Sequence, residues 1–196
     1  MDKLHLIVPC HFGVESVLKR EIIDLGYEIE RVEDGRITFS GNLLAISRAN
    51  VFLRTVERVM IQVGRVKAQT YDELFEAVKA LKWSDFIPEN GKFWVKKASS
   101  VKSKLFSPSD IQRIVKKAIV ENLKQEYGVS WFSEDGASYP IRVFFYKDEA
   151  VIALDTSGES LHKRGYRYYT SKAPISETLA AALIMLTPWN KDRILG

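Results

Sequence analysis

Cysteine is close to absent from this chain: Cys10 stands alone among 196 residues. No intramolecular disulfide can form, and a cysteine-rich zinc site is excluded. A reducing, cytoplasmic setting is the expectation, because small secreted domains usually rely on disulfide staples. Glycine is sparse and scattered. No two of the eleven lie within three residues of each other, which leaves neither a dinucleotide-binding glycine loop nor a P-loop. The three histidines, His5, His11 and His162, have no metal-ligand spacing. Apolar runs all fall well short of the ~20 residues that a membrane span requires. The opening MDKLHLIVPCHF lacks the basic start, long apolar run and small-residue cleavage site of a signal peptide. Metal, P-loop and membrane classes drop out, and no membrane partner is expected.

What is present is an ordinary globular composition, 46% hydrophobic and 28% charged, long enough for one large or two small domains of ~100–150 residues each. The net charge of +4 is unevenly placed. Residues 1–60 hold eight basic and nine acidic side chains, residues 61–196 twenty-one and sixteen, and residues 92–124 nine against two. One segment thus carries more positive charge than the whole chain, which leans toward a polyanion partner.

Hydrophobic periodicity divides the chain into two units. Leu4, Leu6 and Val8 alternate as a strand, and Val14, Val17, Leu18, Ile22 and Leu25 form a helical stripe stopped by Gly26. Tyr27–Val32 and Arg36–Phe39 read as a hairpin around Gly35, Leu43–Leu53 as a helix, and Val59, Ile61 and Val63 as a strand. The order β-α-β-β-α-β is the split pattern of a ferredoxin-like unit over 1–66. In the second unit, Thr70 and Glu73 form a capping box before a helix, and Lys92–Ala98 is a strand followed by a polar loop to Phe106. Ser107 and Pro108 open a helix that Gly128 closes, and strands at Pro140–Tyr146 and Ala150–Asp155 follow. With no linker between them, the two units are expected to pack together. Residues 156–172 read as a polar, basic and aromatic connector, and Pro174 precedes a last helix through Leu179, Ala182, Leu183 and Leu186. The tail Arg193–Gly196 looks like the start of a strand with no sheet to join, so the chain reads as truncated.

At ~100° per residue, Arg113, Lys116, Lys117 and Lys124 share one side of the helix that Ser107 opens, opposite Ile111, Ile114, Val115 and Ala118. Lys96, Lys97, Lys102 and Lys104 lie just upstream. Lysine ammoniums bind phosphate as point charges, so this convergence points to salt-dependent binding of nucleic acid. The run His162-Lys163-Arg164-Gly165-Tyr166-Arg167-Tyr168-Tyr169 interleaves cations that hold a backbone with rings that stack on unpaired bases. The bland reading of both is a solvated face and a packed linker. Cys10-His11 raises a nucleophile–base reading, but neighbours on a strand end point apart, no third group is evident, and a small buried cysteine is the simpler account. No catalytic site is legible.

The run Asp155-Thr156-Ser157-Gly158-Glu159-Ser160-Leu161-His162-Lys163-Arg164-Gly165-Tyr166-Arg167 resembles the signature that joins a THUMP domain to a class I methyltransferase domain, and so does Ala173-Pro174-Ile175-Ser176-Glu177-Thr178-Leu179-Ala180-Ala181-Ala182-Leu183. Pro9-Cys10-His11-Phe12-Gly13-Val14-Glu15 and Leu18-Lys19-Arg20-Glu21-Ile22 resemble the ferredoxin-like domain of the bacterial large-subunit rRNA guanine-N2 methyltransferases. The resemblance implies an α+β chain: a ferredoxin-like unit (1–66) packed with a THUMP RNA-binding unit (67–155), then a linker and the first helix of a missing Rossmann-like methyltransferase domain (156–196). It implies S-adenosylmethionine chemistry in the full-length protein, with none expected to bind this chain, whose glycine loop would begin just past Gly196. Structured RNA, large-subunit rRNA rather than DNA, is the implied partner, together with the protein's own catalytic domain. RNA contacts fall on Lys96, Lys97, Lys102, Lys104, Arg113, Lys116, Lys117, His162, Lys163, Arg164 and Arg167, and Glu177 and Thr178 match the helix that flanks the cofactor pocket. The rival expectation is a free-standing RNA- or protein-binding module whose last helix docks elsewhere.

Overall fold

The structure, a computed structural model, describes residues 3–165, 167–169, 172–190 and 192–194. Tyr166 of the cation–aromatic run, and Leu195 and Gly196 of the expected tail strand, lie outside the described residues. The chain divides into two compact units, the first comprising 1–61 with 156–196 and the second 62–155.

In the first unit, β1 (Leu4–Pro9), α1 (Glu15–Asp24), β2 (Glu28–Glu33), β3 (Arg36–Gly41), α2 (Leu43–Phe52) and the start of β4 (Met60–Lys67) follow in order. β1 lies antiparallel between β3 and β4, and β2 pairs outside β3. Alternation sends Leu6 and Val8 of β1 and Ile37 and Phe39 of β3 to one face, where they meet Leu18 and Ile22 of α1 and Ala45 and Ala49 of α2, all fully buried. Gly41 is required by this packing, since an added Cβ would collide with the Ala45 side chain. Asn42 caps α2 by accepting from the Ala45 N–H.

One member of the α1 stripe is charged. Glu21 is only 4% exposed, and its Oε1 accepts from the Arg54 N–H and Nε, while its Oε2 accepts from the Thr55 N–H and hydroxyl, at 2.7–3.2 Å. A buried carboxylate is tolerable only when its lone pairs are filled in this way.

In the second unit the rest of β4 is followed by α3 (Tyr71–Lys79), a 3-10 turn at Trp83–Asp85, β5 (Lys92–Val101), α4 (Pro108–Tyr127), β6 (Ser138–Tyr146) and β7 (Glu149–Asp155). The Thr70–Glu73 capping box forms as the spacing predicts. So does α4, with the Ser107 hydroxyl accepting from the Asp110 N–H and Gly128 left-handed at φ 67°. β5 runs three residues beyond its sequence expectation, because Ser99, Ser100 and Val101 pair with Phe144, Phe145 and Tyr146 in a parallel ladder. β6 and β7 reverse at Lys147 and Asp148, both at positive φ.

The expected fold class does not hold. The strands make one seven-stranded mixed sheet in the order β2-β3-β1-β4-β7-β6-β5, because β4 gives Met60 and Ile61 to β1 and continues as the neighbour of β7. Nor do residues 156–194 stand as a linker and the first helix of a missing Rossmann-like domain. They fold into the first unit, where α5 (Glu177–Leu186) buries Thr178 and Ala182 and accepts the Arg20 guanidinium at the Met185 carbonyl, 2.8 Å away. Local sequence displays the apolar residues of α5 without the α1 partner they meet. Among the described residues no helix is long and apolar enough to cross a membrane.

Truncation of Glu21 to alanine would leave the Thr55 donors unpaired in a buried site, at about 1–3 kcal/mol per group. Glu21→Ala is expected to lower the unfolding free energy by about 3 kcal/mol in urea titrations followed by circular dichroism. Glu21→Gln, which keeps an acceptor oxygen, should lose less than half of that.

Candidate functional site: a cationic face and a carboxylate-tied strap

The basic segment lies on the second unit. Lys96 and Lys97 are exposed on β5, Lys102 and Lys104 on the loop after it, and Arg113, Lys116 and Lys117 on α4. Asp148, in the β6–β7 turn, fixes that loop by accepting from the Lys104 N–H at 2.7 Å while its own N–H donates to Ser103. Lys104 Nζ donates to Gln69, Lys117 sits 5.4 Å over the Phe75 ring, and Arg113 pairs with Asp110 at 2.9 Å. Among the described residues none of the six lysines has a carboxylate within ion-pair distance, so their charge is not neutralised internally.

β5 and α4 also enclose an open cleft of about 420 Å3, lined by Trp94, Val95, Gln112, Arg113, Lys116 and Lys117. The Gln112 amide donates to the Val95 carbonyl at 3.3 Å and ties helix to strand. Trp94 carried no sequence signal of function, because an aromatic in a strand ordinarily packs in a core.

The run after residue 155 behaves differently. Glu57 accepts from the Ser160 hydroxyl at 2.6 Å, the Thr178 hydroxyl at 2.6 Å and His162 Nδ1–H at 2.7 Å. His11 Nε2 lies 3.9 Å from the same carboxylate and 3.2 Å from the Ser176 hydroxyl. Burial raises the Glu57 carboxyl, but the hydrogen bonds from Ser160, Thr178 and His162 and the His162 charge outweigh it, and the net shift is downward. Both Ser160 and His162 address the carboxylate instead of each other, so no nucleophile–base relay is formed. The cluster is a strap that ties Ser160, His162 and Thr178 to Glu57 within the first unit. Glu57 had no sequence signal, since its partners lie more than a hundred positions away.

The cations of the strap are unequally disposed. Arg164 donates to the carbonyls of Leu161, Val51 and Leu53 at 2.6–2.9 Å, satisfying the open carbonyl end of α2. Arg167 donates to the Ile175 carbonyl and pairs with Glu177 at 3.3 Å. Lys163 is exposed, and Tyr168 and Tyr169 are more than 90% exposed. Thr178 is buried against Glu57. Cys10 is half-buried, and burial with the nearby Glu15 charge pushes its thiol up to about 12, which leaves no thiolate near neutral pH. Among the described residues no group of three His, Cys, Asp or Glu could hold a metal.

Residues 5–60 match the family model of the RlmL ferredoxin-like domain, and residues 68–155 match that of the THUMP domain. A Bacillus subtilis protein named as a candidate RNA methyltransferase, YpsC, is 53% identical over 195 residues, which are 98% of this chain and 50% of that protein. The ribosomal RNA large subunit methyltransferase K/L of Pseudomonas aeruginosa is 32% identical over 97% of this chain and 26% of its own length. The crystal structure of a candidate methyltransferase complexed with SAH matches with a TM-score of 0.91 at 40% identity, covering 98% of this chain and 51% of that one. The chain therefore spans about half or less of the length of these relatives and is related to THUMP-containing RNA methyltransferases. That likeness runs through nearly the whole chain, residues 156–194 included.

A carboxyl held low when folded stabilises the fold above its ordinary value of 4.5 and ceases to do so as pH falls through its lowered folded value. The stability difference between the protein and Glu57→Gln is expected to shrink as pH falls below 4.5. Thermal unfolding at stepped pH measures it, and a difference that persists undiminished at pH 3 would show that the Glu57 charge is not what holds the strap.

Proposed function

We propose that this chain, related as it is to THUMP-containing RNA methyltransferases, recognises RNA on behalf of a methyl-transfer reaction. The observation that carries the reading is the face of unneutralised lysines on β5, its loop and α4, within the residues that match the THUMP domain. Phosphates docking there release counterions, and a row of fixed point charges suits a structured RNA backbone. In this reading the chain is organised as a ferredoxin-like region over 1–66, an RNA-binding region over 67–155 and a strap-bearing region over 156–196. Lys96, Lys97, Lys102, Lys104, Lys116 and Lys117 anchor phosphates, with Arg113 beside them. His162, Lys163, Arg164 and Arg167 extend the track, Lys163 by direct contact and the other three by holding the strap in place. Large-subunit rRNA is the proposed partner, in keeping with the name of the Pseudomonas aeruginosa relative, and a guanine N2 amine is the proposed methyl acceptor, as the sequence resemblance implies.

S-adenosylmethionine is the proposed methyl donor of the whole protein. Its sulfonium is cationic, and its ribose hydroxyls call for a free carboxylate. The cleft at Trp94 is rimmed by Arg113, Lys116 and Lys117. A second cleft of about 410 Å3 is lined by Glu21, Asp24, Arg54 and Arg164 among others, and there Glu21 is already filled by Arg54 and Thr55. Two guanidiniums suit a cationic sulfonium poorly, and no step is routed through either cleft. Glu177 and Thr178 are engaged with Arg167 and Glu57, so a role at the rim of the donor pocket runs through the strap.

Affinity for a folded rRNA hairpin should fall linearly with salt on logarithmic axes, by roughly 0.9 per phosphate contacted. Charge reversal in Lys116→Glu with Lys117→Glu should weaken binding at least about tenfold and flatten the slope by about two. A flat salt profile in the unmodified chain would remove the reading. Calorimetry with S-adenosylmethionine is expected to give no micromolar binding to this chain, and such binding would place the donor pocket within these residues.

A further inference from the structure

A track of lysines alone reads only phosphate, yet the centre of this face is built of other chemistry. β5 is the outer strand at the end of the sheet order and carries a bulge where a bulge is rare, in a parallel pair. Val95 faces Ile141 and Lys97 faces Arg142, so Lys96 is the extra residue. The insertion reverses the side-chain parity of the strand. Phe93 is buried before it and Ala98 after it, whereas Lys96 and Lys97 are both exposed. In an unbroken strand one of two consecutive lysines would point into the core. The bulge therefore presents a pair of cations on the edge immediately after Trp94 and Val95, the strand wall of the cleft.

Lysines on an outer strand would by themselves serve to block strand addition. A half-buried tryptophan beside them would not, since it adds an adhesive surface to the same edge. Trp94 gives the cleft an aromatic wall, Gln112 an amide whose oxygen accepts no hydrogen bond among the described residues, and Lys116 and Lys117 charge in its lining, with Lys96 and Lys97 next along the strand from Val95. An aromatic wall with a polar amide, lysines of α4 in the lining and lysines of β5 next to it matches one ligand chemistry: a planar, hydrogen-bonding ring bearing phosphates. The volume of about 420 Å3 falls within the ~300–1,000 Å3 of sites for compact organic groups.

We propose that this cleft holds an unpaired nucleobase of the bound RNA, stacked on Trp94, with the bulge lysines and the α4 lysines on its flanking phosphates. The inference rests on the RNA-binding reading above and adds to it a preference for a single-stranded element next to the helix. Lys96 and Lys97 act as phosphate contacts, Trp94 as the stacking platform and Gln112 as a contact to the base edge.

The test compares a fluorescein-labelled RNA hairpin carrying an unpaired overhang with a blunt hairpin of equal nucleotide count, by anisotropy on the 196-residue chain. The chain should prefer the overhang at least about fivefold, Trp94→Phe should keep most of the preference, and Trp94→Leu should bring the ratio near one. Equal affinity of the unmodified chain for both hairpins, or a ratio that survives Trp94→Leu, overturns the cleft inference while leaving salt-dependent RNA binding standing. Failure to bind either hairpin removes the RNA reading itself. Independently of any variant, 5-iodouridine in the overhang should photocrosslink to the peptide that contains Trp94, and crosslinks solely elsewhere overturn the proposal. If polyglutamate of equal charge displaces the overhang RNA as readily as unlabelled overhang RNA does, the cleft is a general anion site and the proposal falls.

Discussion

The carboxylate of Glu57 is the interaction on which the arrangement of the first unit depends. It receives three hydrogen bonds from Ser160, His162 and Thr178, and a carboxylate can only accept, so all three donors must converge on it. Convergence fixes where Ser160, His162 and Thr178 lie. Once they lie there, Arg164 reaches the open carbonyls at the end of α2, and Arg167 reaches Glu177 at the start of α5. The Thr156 N–H and hydroxyl reach the Val59 carbonyl in the same way. A stretch with little apolar content is thereby ordered by polar contacts, each charge-assisted one worth about 1.5–3 kcal/mol net of water.

β5 and α4 use charge in the opposite sense. In the first unit two carboxylates are filled internally, Glu21 by Arg54 and Thr55 and Glu57 by the strap. Among the described residues Lys96, Lys97, Lys102, Lys104, Lys116 and Lys117 have no carboxylate partner. Their mutual repulsion is weakened by exposure to water and screened by salt. A phosphate in contact with an ammonium is not screened in that way. The same lysines are therefore inexpensive in the free protein and available to a phosphate, which is the condition for an electrostatic binding face.

How much was legible from residues alone varied with the range of the interaction involved. α3 and α4 form where Thr70, Glu73, Ser107 and Gly128 place them, since caps act within one turn of helix. The basic face was legible for the same reason: 3.6-residue periodicity puts Arg113, Lys116 and Lys117 on one side whatever α4 packs against. Ser99–Val101 was read as loop because its polarity outweighed its pairing with β6, a partner more than forty positions away. The bulge at Lys96 and the place of Trp94 on the cleft wall were invisible, because a one-residue register change leaves no mark in composition.

Sequence by itself determined the elements, the position of the charge block and the exclusion of disulfide, P-loop and cysteine-rich zinc chemistry, all consequences of residue identity and near-neighbour spacing. Only the tertiary structure decided which cations remain free. Lys163 and Arg164 are adjacent and equally basic in the chain, yet one is exposed and the other is spent on three carbonyls. It also decided that α5 belongs with α1 and that β4 serves both units' strands. The physical reason is common to all three. Each outcome depends on a partner brought in from far along the chain, and such a partner exists only once the chain has folded.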